Sequence, residues 1–211
     1  MRLLARIFLA TLLLSLSSFP ARSQFLVSRT GGLSDSMAML LPRWGVKTNL
    51  LWGAAATVNL GLEFRTGART SFDLPFNYNA WTFGENRKWK HFGVQPELRW
   101  WTKETFRGHF FGLHAHYAQY NVGQLPAPFS DYMQTHRFEG WLAGAGVSYG
   151  YRWNFSHRWA LEAAVGVGYA YLDYDVFNCA RCGERLGDET KHWFGPTRAG
   201  ISLVYGIGGK R

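Results

Sequence analysis

The chain has 211 residues, 17% aromatics, 24 glycines and a formal charge of +9. The length suits one domain, while the aromatic content exceeds what a soluble domain of this size needs. Its basic balance does not point to nucleic acid, because the chain opens with an export signal.

Arg2 and Arg6 precede the apolar run Ile7 to Leu16, and Ala21-Arg22-Ser23 offers the small residues that a signal peptidase reads. Residues 1–23 are therefore expected to be a cleavable signal peptide, since the apolar run is short of the roughly 20 residues that span a bilayer. Residues 24–43 show no periodicity and read as a periplasmic lead-in. Later in the chain no apolar helix is long enough to cross a membrane, so any crossing must be made by strands.

From Trp44 onward, apolar and polar residues alternate with period two, as side chains do on a strand. The first predicted strand, Trp44 to Trp52, sets Val46, Leu50 and Trp52 against Lys47 and Asn49. The second, Thr57 to Thr66, sets Val58, Leu60, Leu62 and Phe64 against Glu63 and Arg65. In the third, Thr70 to Tyr78, Phe72, Leu74 and Phe76 oppose Asp73 and Asn77. The fourth, His91 to Thr102, opposes Phe92, Val94, Leu98 and Trp100 to Gln95, Glu97 and Arg99. The fifth, Gly108 to Gln119, has Phe111, Leu113 and Tyr117 on one side and His114 and His116 on the other. The sixth (Phe138 to Trp153), seventh (Arg158 to Leu172) and eighth (Gly195 to Ile207) repeat the pattern, with Ser148, Arg152, Glu162 and Arg198 among their polar positions.

The apolar face is almost free of charge in all eight. Connections after the second, fourth and sixth strands are short. Those at Asn79 to Lys90, Asn121 to Arg137 and Asp173 to Trp193 are long. Short turns at one end and long loops at the other are the habit of outer-membrane barrels. The expected fold is all-β, an eight-stranded antiparallel up-and-down transmembrane β-barrel over residues 44–211. Trp44, Trp52, Trp100, Trp141, Trp153, Trp159 and Tyr169 read as an aromatic girdle at the membrane interfaces.

A barrel of this size is filled by side chains. Lys47, Glu63, Arg65, Asp73, Gln95, Glu97, Arg99, His114, His116, Glu162 and Arg198 are expected to form a polar network in its lumen. Centring the turn at Lys103 to Arg107 puts Gln95 opposite His114. His114 and His116 share one face at a spacing that can chelate zinc, but a hydrogen-bonded network is the simpler reading. Cys179 and Cys182 are the only cysteines. In an oxidising compartment they are expected to form a disulfide; a zinc knuckle with His192 and a redox pair are the alternatives.

The run Lys47-Thr48-Asn49-Leu50-Leu51 is followed by Val58-Asn59-Leu60-Gly61-Leu62-Glu63. With Trp89 to Arg99, Gly108 to Ala115 and Gly195 to Gly200, it resembles a family of uncharacterised Bacteroidetes proteins, a domain of unknown function. The resemblance implies a small outer-membrane barrel, sometimes encoded near fimbrial-subunit genes, and no established activity or cofactor. Outer-membrane barrels commonly end in an aromatic residue, whereas Tyr205 is the last aromatic here.

The chain carries no nucleophile elbow or zincin motif. The expectation is a monomeric, non-enzymatic outer-membrane protein of a Gram-negative bacterium, with a structural, adhesive or surface-assembly role. It would contact outer-membrane lipid and lipopolysaccharide, and possible fimbrial or surface proteins. One alternative is an envelope lipid-modifying enzyme, for which Ser156, His157 and His109 lie at the end assigned to the periplasm. The other is a soluble lipocalin-like carrier, whose apolar side would face a ligand cavity.

Overall fold

In the computed structural model, residues 42–83, 87–123, 135–178 and 183–208 are described. The strands are β1 (Trp44–Asn49), β2 (Val58–Arg65), β3 (Thr70–Asn79), β4 (Thr82–Phe83), β5 (Arg87–Val94), β6 (Glu97–Trp101), β7 (Gly108–Gly123), β8 (Arg137–Asn154), β9 (Trp159–Phe177) and β10 (Arg185–Ile207). A short helix, α1 (Leu50–Ala54), follows β1.

All pairings are antiparallel, and the sheet closes on itself. β1 pairs with β2 on one side and with β10 on the other, from Trp44 opposite Ile207 to Asn49 opposite Ser202. The ladder then runs through β2–β3, across β5 and β6 to β7, and on through β8 and β9 back to β10. Nine strands form this ring; the two-residue β4 is a spur on β5.

The expected fourth strand is two, β5 and β6, because of Pro96. Proline has no N–H to give to a ladder. The register nonetheless runs through the break: Val94 stands opposite Phe76 and Tyr117, and Glu97 opposite Asp73 and His114. The gap is bridged at its edges, where Gln95 N–H donates to the Pro75 carbonyl and Ala115 N–H to that of Pro96. The expected facing of Gln95 and His114 is thus wrong by two residues; Glu97 takes that place.

The first strand is shorter than expected. Asn59 replaces the ladder at its end, accepting from Asn49 N–H and donating to the Asn49 carbonyl. Asn49 Oδ1 then accepts from Leu51 N–H at 3.0 Å and caps α1. Asparagine side chains thereby turn an alternating run into a helix.

Two long connections are shorter than expected, because the strands on either side continue. β9 runs on to Phe177, and β10 begins at Arg185 opposite it. Part of Asn79 to Lys90 is a hairpin, with Thr82 opposite Lys88. Most of Asn121 to Arg137 lies outside the described residues, as do Cys179 and Cys182. The connections at the other end are short: 66–69, 102–107 and 155–158.

Strand parity separates two chemistries. Glu63, Asp73, Glu97 and Arg99 are fully buried, whereas Val58, Trp100, Phe111 and Leu113 are 58–68% exposed on the outer face. The buried apolar cluster is small: Trp101, Phe106, Phe110 and Ala164. Phe106 sits at φ +74 in the β6–β7 turn. This left-handed backbone is costly for a non-glycine residue, and it goes with a ring turned inward against Trp101. No helix among the described residues is long and apolar enough to cross a membrane, which leaves strands untouched as a means of crossing.

Candidate functional site

The interior of the ring is built in layers from the short-turn end. Trp101, Phe106 and Phe110 form an apolar floor, with the Trp101 ring 4.9 Å from Phe110 and 6.1 Å from Phe106. Guanidinium groups cover it: Arg152 lies 4.9 Å from the Trp101 ring centre and Arg99 4.3 Å from that of Phe110.

Above the floor lies an ion cluster of four carboxylates, Glu63, Asp73, Glu97 and Glu162, with four cations, Lys47, Arg99, Arg152 and Arg198. Arg99 is its hub and reaches all four acids: Glu63 at 3.1 Å, Asp73 at 2.8 Å, Glu97 at 2.5 Å and Glu162 at 3.0 Å. Lys47 reaches Asp73 at 2.8 Å and Glu162 at 3.2 Å. Arg152 pairs with Glu63 and Glu162, and Arg198 joins Asp73 at 3.1 Å to Glu97 at 3.3 Å. Neutral donors add to the ion pairs, although Asp73 Oδ1 has no hydrogen-bond partner among the described residues. Ser71 donates to Glu63 at 2.7 Å and itself accepts from Trp101 Nε1; Ser148 donates to Glu97.

Burying one unpaired charge is prohibitive, but equal numbers at hydrogen-bonding distance offset most of the desolvation. These eight residues come from seven strands, β1, β2, β3, β6, β8, β9 and β10. The cluster therefore ties distant parts of the ring across its centre. Glycine makes room for it: a Cβ at Gly112 would lie 2.7 Å from the Glu97 carboxyl carbon.

The next layer is built around a bulge. β10 shifts register between Pro196 and Arg198, leaving Thr197 unpaired. Thr197 is then held from across the interior, its carbonyl by Gln95 Nε2 and its hydroxyl by His114 Nε2, both at 3.0 Å. His116 lies beyond, its ring 5.8 Å from that of His114. A Cβ at Gly146 would come within 2.8 Å of His114 Nε2, and one at Gly144 within 2.6 Å of His116 Nε2. Among the described residues no group of three or more His, Cys, Asp or Glu side chains could hold a metal ion.

Of the residues expected in the interior network, Lys47, Glu63, Asp73, Glu97, Arg99, Glu162 and Arg198 meet in the ion cluster. Gln95, His114 and His116 stand above it. Arg65 points elsewhere, its Nε donating to the Gly67 carbonyl in the β2–β3 turn. Arg152, Ser71 and Ser148 take part although the expected network omits them. Strand parity already put Arg152 on the inner face, and that signal would have found it. Thr197 had no sequence signal, because a bulge changes parity locally.

Of the aromatics grouped as a girdle, Trp44, Trp100, Trp141, Trp153, Trp159 and Tyr169 are exposed on the outer face. Trp52 is the exception. It belongs to α1, stands 5.4 Å from the His91 ring and lines an interior cavity of about 90 Å³ together with Lys47, Asn59 and Arg198. Of the residues considered for lipid chemistry, His109 Nδ1 meets the Tyr149 hydroxyl at 2.6 Å, and Ser156 and His157 lie in the β8–β9 turn.

A closed antiparallel ring with a charge-balanced interior is the class of molecule these observations define. The chain belongs to the family described as "Protein of unknown function (DUF3575)", whose model matches residues 24–207. Comparison with curated proteins and with solved structures gives no match.

Proposed function

We propose that this chain is an outer-membrane β-barrel with a structural, adhesive or surface-assembly role. The observation that carries the reading is the inverted distribution of polarity, with charges buried and large apolar side chains exposed. In water, each exposed Leu, Val or Phe side chain would forgo about 1.5–3 kcal/mol of burial free energy. Against hydrocarbon that loss disappears, and a solvated charge cluster would have no reason to be inside.

Counting β5 and β6 as one stave, because both lie between β3 and β7, gives an eight-staved barrel. The outer face also has the right height. Trp141 and Trp153 bracket Ala143, Ala145, Val147, Tyr149 and Tyr151 on β8, with no charge among them. At about 3.3 Å per residue and a tilt near 40°, that stretch rises about 30 Å, close to the hydrocarbon thickness of a bilayer. The short connections would then face the periplasm, and the β9–β10 ribbon the outside, where it would meet lipopolysaccharide or a surface protein. A fimbrial partner is in keeping with the family resemblance. Residues 1–23 would be the export signal. A soluble carrier of an apolar ligand needs the reverse arrangement, with apolar side chains lining the interior.

Cell fractionation tests the reading. The protein is expected in the outer-membrane fraction, retained through alkaline carbonate and released by detergent. Recovery in the soluble periplasmic fraction would overturn it.

A further inference from the structure

We infer that the mouth of the ring at its short-turn end binds an acidic peptide segment, with a carboxylate held between Arg107 and Arg158 and an apolar side chain beside it. The inference goes beyond the membrane reading and holds whichever compartment this end meets. A cavity of about 380 Å³ opens here, within the range of ligand sites and large enough for one or two side chains. Its lining includes Arg107, His157 and Arg158 and, among the described residues, no carboxylate. Its floor is Phe106 with Arg152, whose charge is already engaged by Glu63 and Glu162.

Among the described residues, the cations at this mouth are open to a further partner. Arg107 touches Glu104 at 2.5 Å, but both side chains are largely in solvent. Such a pair adds little, and a guanidinium fork can hold a second carboxylate. Arg158 Nη1 lies 3.0 Å from the Tyr205 hydroxyl, a contact that positions the guanidinium without neutralising it. The basic excess extends round the rim, with Arg43 before β1, Arg69 in the β2–β3 turn and Lys103 in the β6–β7 turn. Glu104 is the one acidic residue in the three short connections. The opposite end is mixed: Asp173, Asp175, Asp188, Glu189 and Glu139 are interspersed there with Arg185, Lys191, Lys88, Lys90 and Arg137. Among the described residues, the basic excess therefore belongs to this mouth.

Two features favour a peptide over other anions. Gly45, Arg152, Ala160, Val204 and Gly206 line the cavity from the inner face of the ring. It thus opens along the ring axis, where a lipid standing against the outer face does not reach. Phe155, exposed in the β8–β9 turn, lies among the cations and gives an apolar side chain a surface that a bare polyanion would not use.

The test is fluorescence anisotropy on the full chain in detergent micelles, with a labelled ten-residue peptide of alternating Glu and Leu as the probe. Saturable binding is expected. It should weaken at least tenfold when Gln replaces Glu in the probe, when Gly replaces Leu, and in the Arg107→Gln/Arg158→Gln variant. Lys191→Gln should leave it unchanged. Ser156→Glu, a change at an exposed turn position that leaves the ladder intact, should also weaken binding and covers the case in which the double variant fails to fold. Absence of binding, equal binding by these variants, equal binding of the Glu–Gly peptide, or displacement by inorganic polyphosphate at the same concentration would each overturn the inference.

Discussion

β9 and β10 pass through two regions that differ in chemistry although the hydrogen-bonded ladder is continuous. Between Trp159 and Tyr169, β9 buries Glu162, Ala164, Gly166 and Gly168 and exposes Val165 and Val167. Beyond Leu172 the alternation ends. Asp173, Tyr174 and Asp175 follow one another, opposite Thr190, Glu189 and Asp188. Here cross-strand polar contacts replace the two-faced pattern, with Tyr174 donating to Glu189 at 3.0 Å and Arg185 to Asp175 at 2.6 Å. Backbone pairing therefore does not require alternation. Alternation records a difference between the environments on the two sides of a strand, and where it stops, that difference stops. The lower region has an apolar outer face and a charged interior; the upper ribbon carries polar residues on both faces.

Removing Arg99, the hub of the lower region, is the most severe perturbation. Arg99→Met leaves four buried carboxylates with three cations, and loss of one partner from a buried ionic group costs about 3–5 kcal/mol. Urea unfolding of the protein in lipid vesicles should show a destabilisation of this order. A change within the scatter of the titration would mean that the cluster is solvated rather than buried.

Next comes the outer face. Leu113→Arg and Val165→Arg should each cost about 2–4 kcal/mol if they lie near a bilayer midplane, a cost that fades toward the interfaces. Leu186→Arg, on the ribbon, should fold and insert as the parent does. Equal effects at Leu113 and Leu186 would erase the boundary drawn between the two regions. A smaller loss is expected from Gly146→Ala, since the added methyl meets His114 Nε2 and the Val167 carbonyl. Overpacking of this kind costs about 1–3 kcal/mol, and the same unfolding titration reads it. Smallest of all is Asp175→Asn, which removes an exposed ion pair with Arg185. The unfolding midpoint should stay put while amide exchange along residues 173–177 quickens.

The same contrast explains what the sequence made legible. Wherever the two faces differ, period-two reading placed strands, faces and most of the ion cluster: Lys47, Glu63, Asp73, Glu97, Arg99, Glu162 and Arg198 all have the inward parity. It stopped short at Leu172 and Gly195 because the ribbon carries no such difference, so paired strands there read as loop. It also failed where side chains rewrite the backbone locally. Asn49 and Asn59 convert the end of the first strand to α1 and carry Trp52 to the interior. Pro96 splits the fourth strand, and the bulge at Thr197 aims a residue inward against the parity of its neighbours. The apolar floor escaped notice for another reason: Trp101 and Phe110 are hydrophobic residues on the charged side. Only their adjacency to outward Trp100 and Phe111 marks them as inward.

Whether the exposed apolar face meets hydrocarbon can be read by tryptophan quenching in vesicles made with lipids brominated along their acyl chains. Trp100, Trp141, Trp153 and Trp159 stand exposed on that face. Strong quenching by the brominated chains, weak quenching by aqueous acrylamide, and loss of much of the lipid-dependent signal in a Trp100→Phe/Trp141→Phe variant are expected. Tryptophans quenched by acrylamide and indifferent to bromine would contradict contact with hydrocarbon.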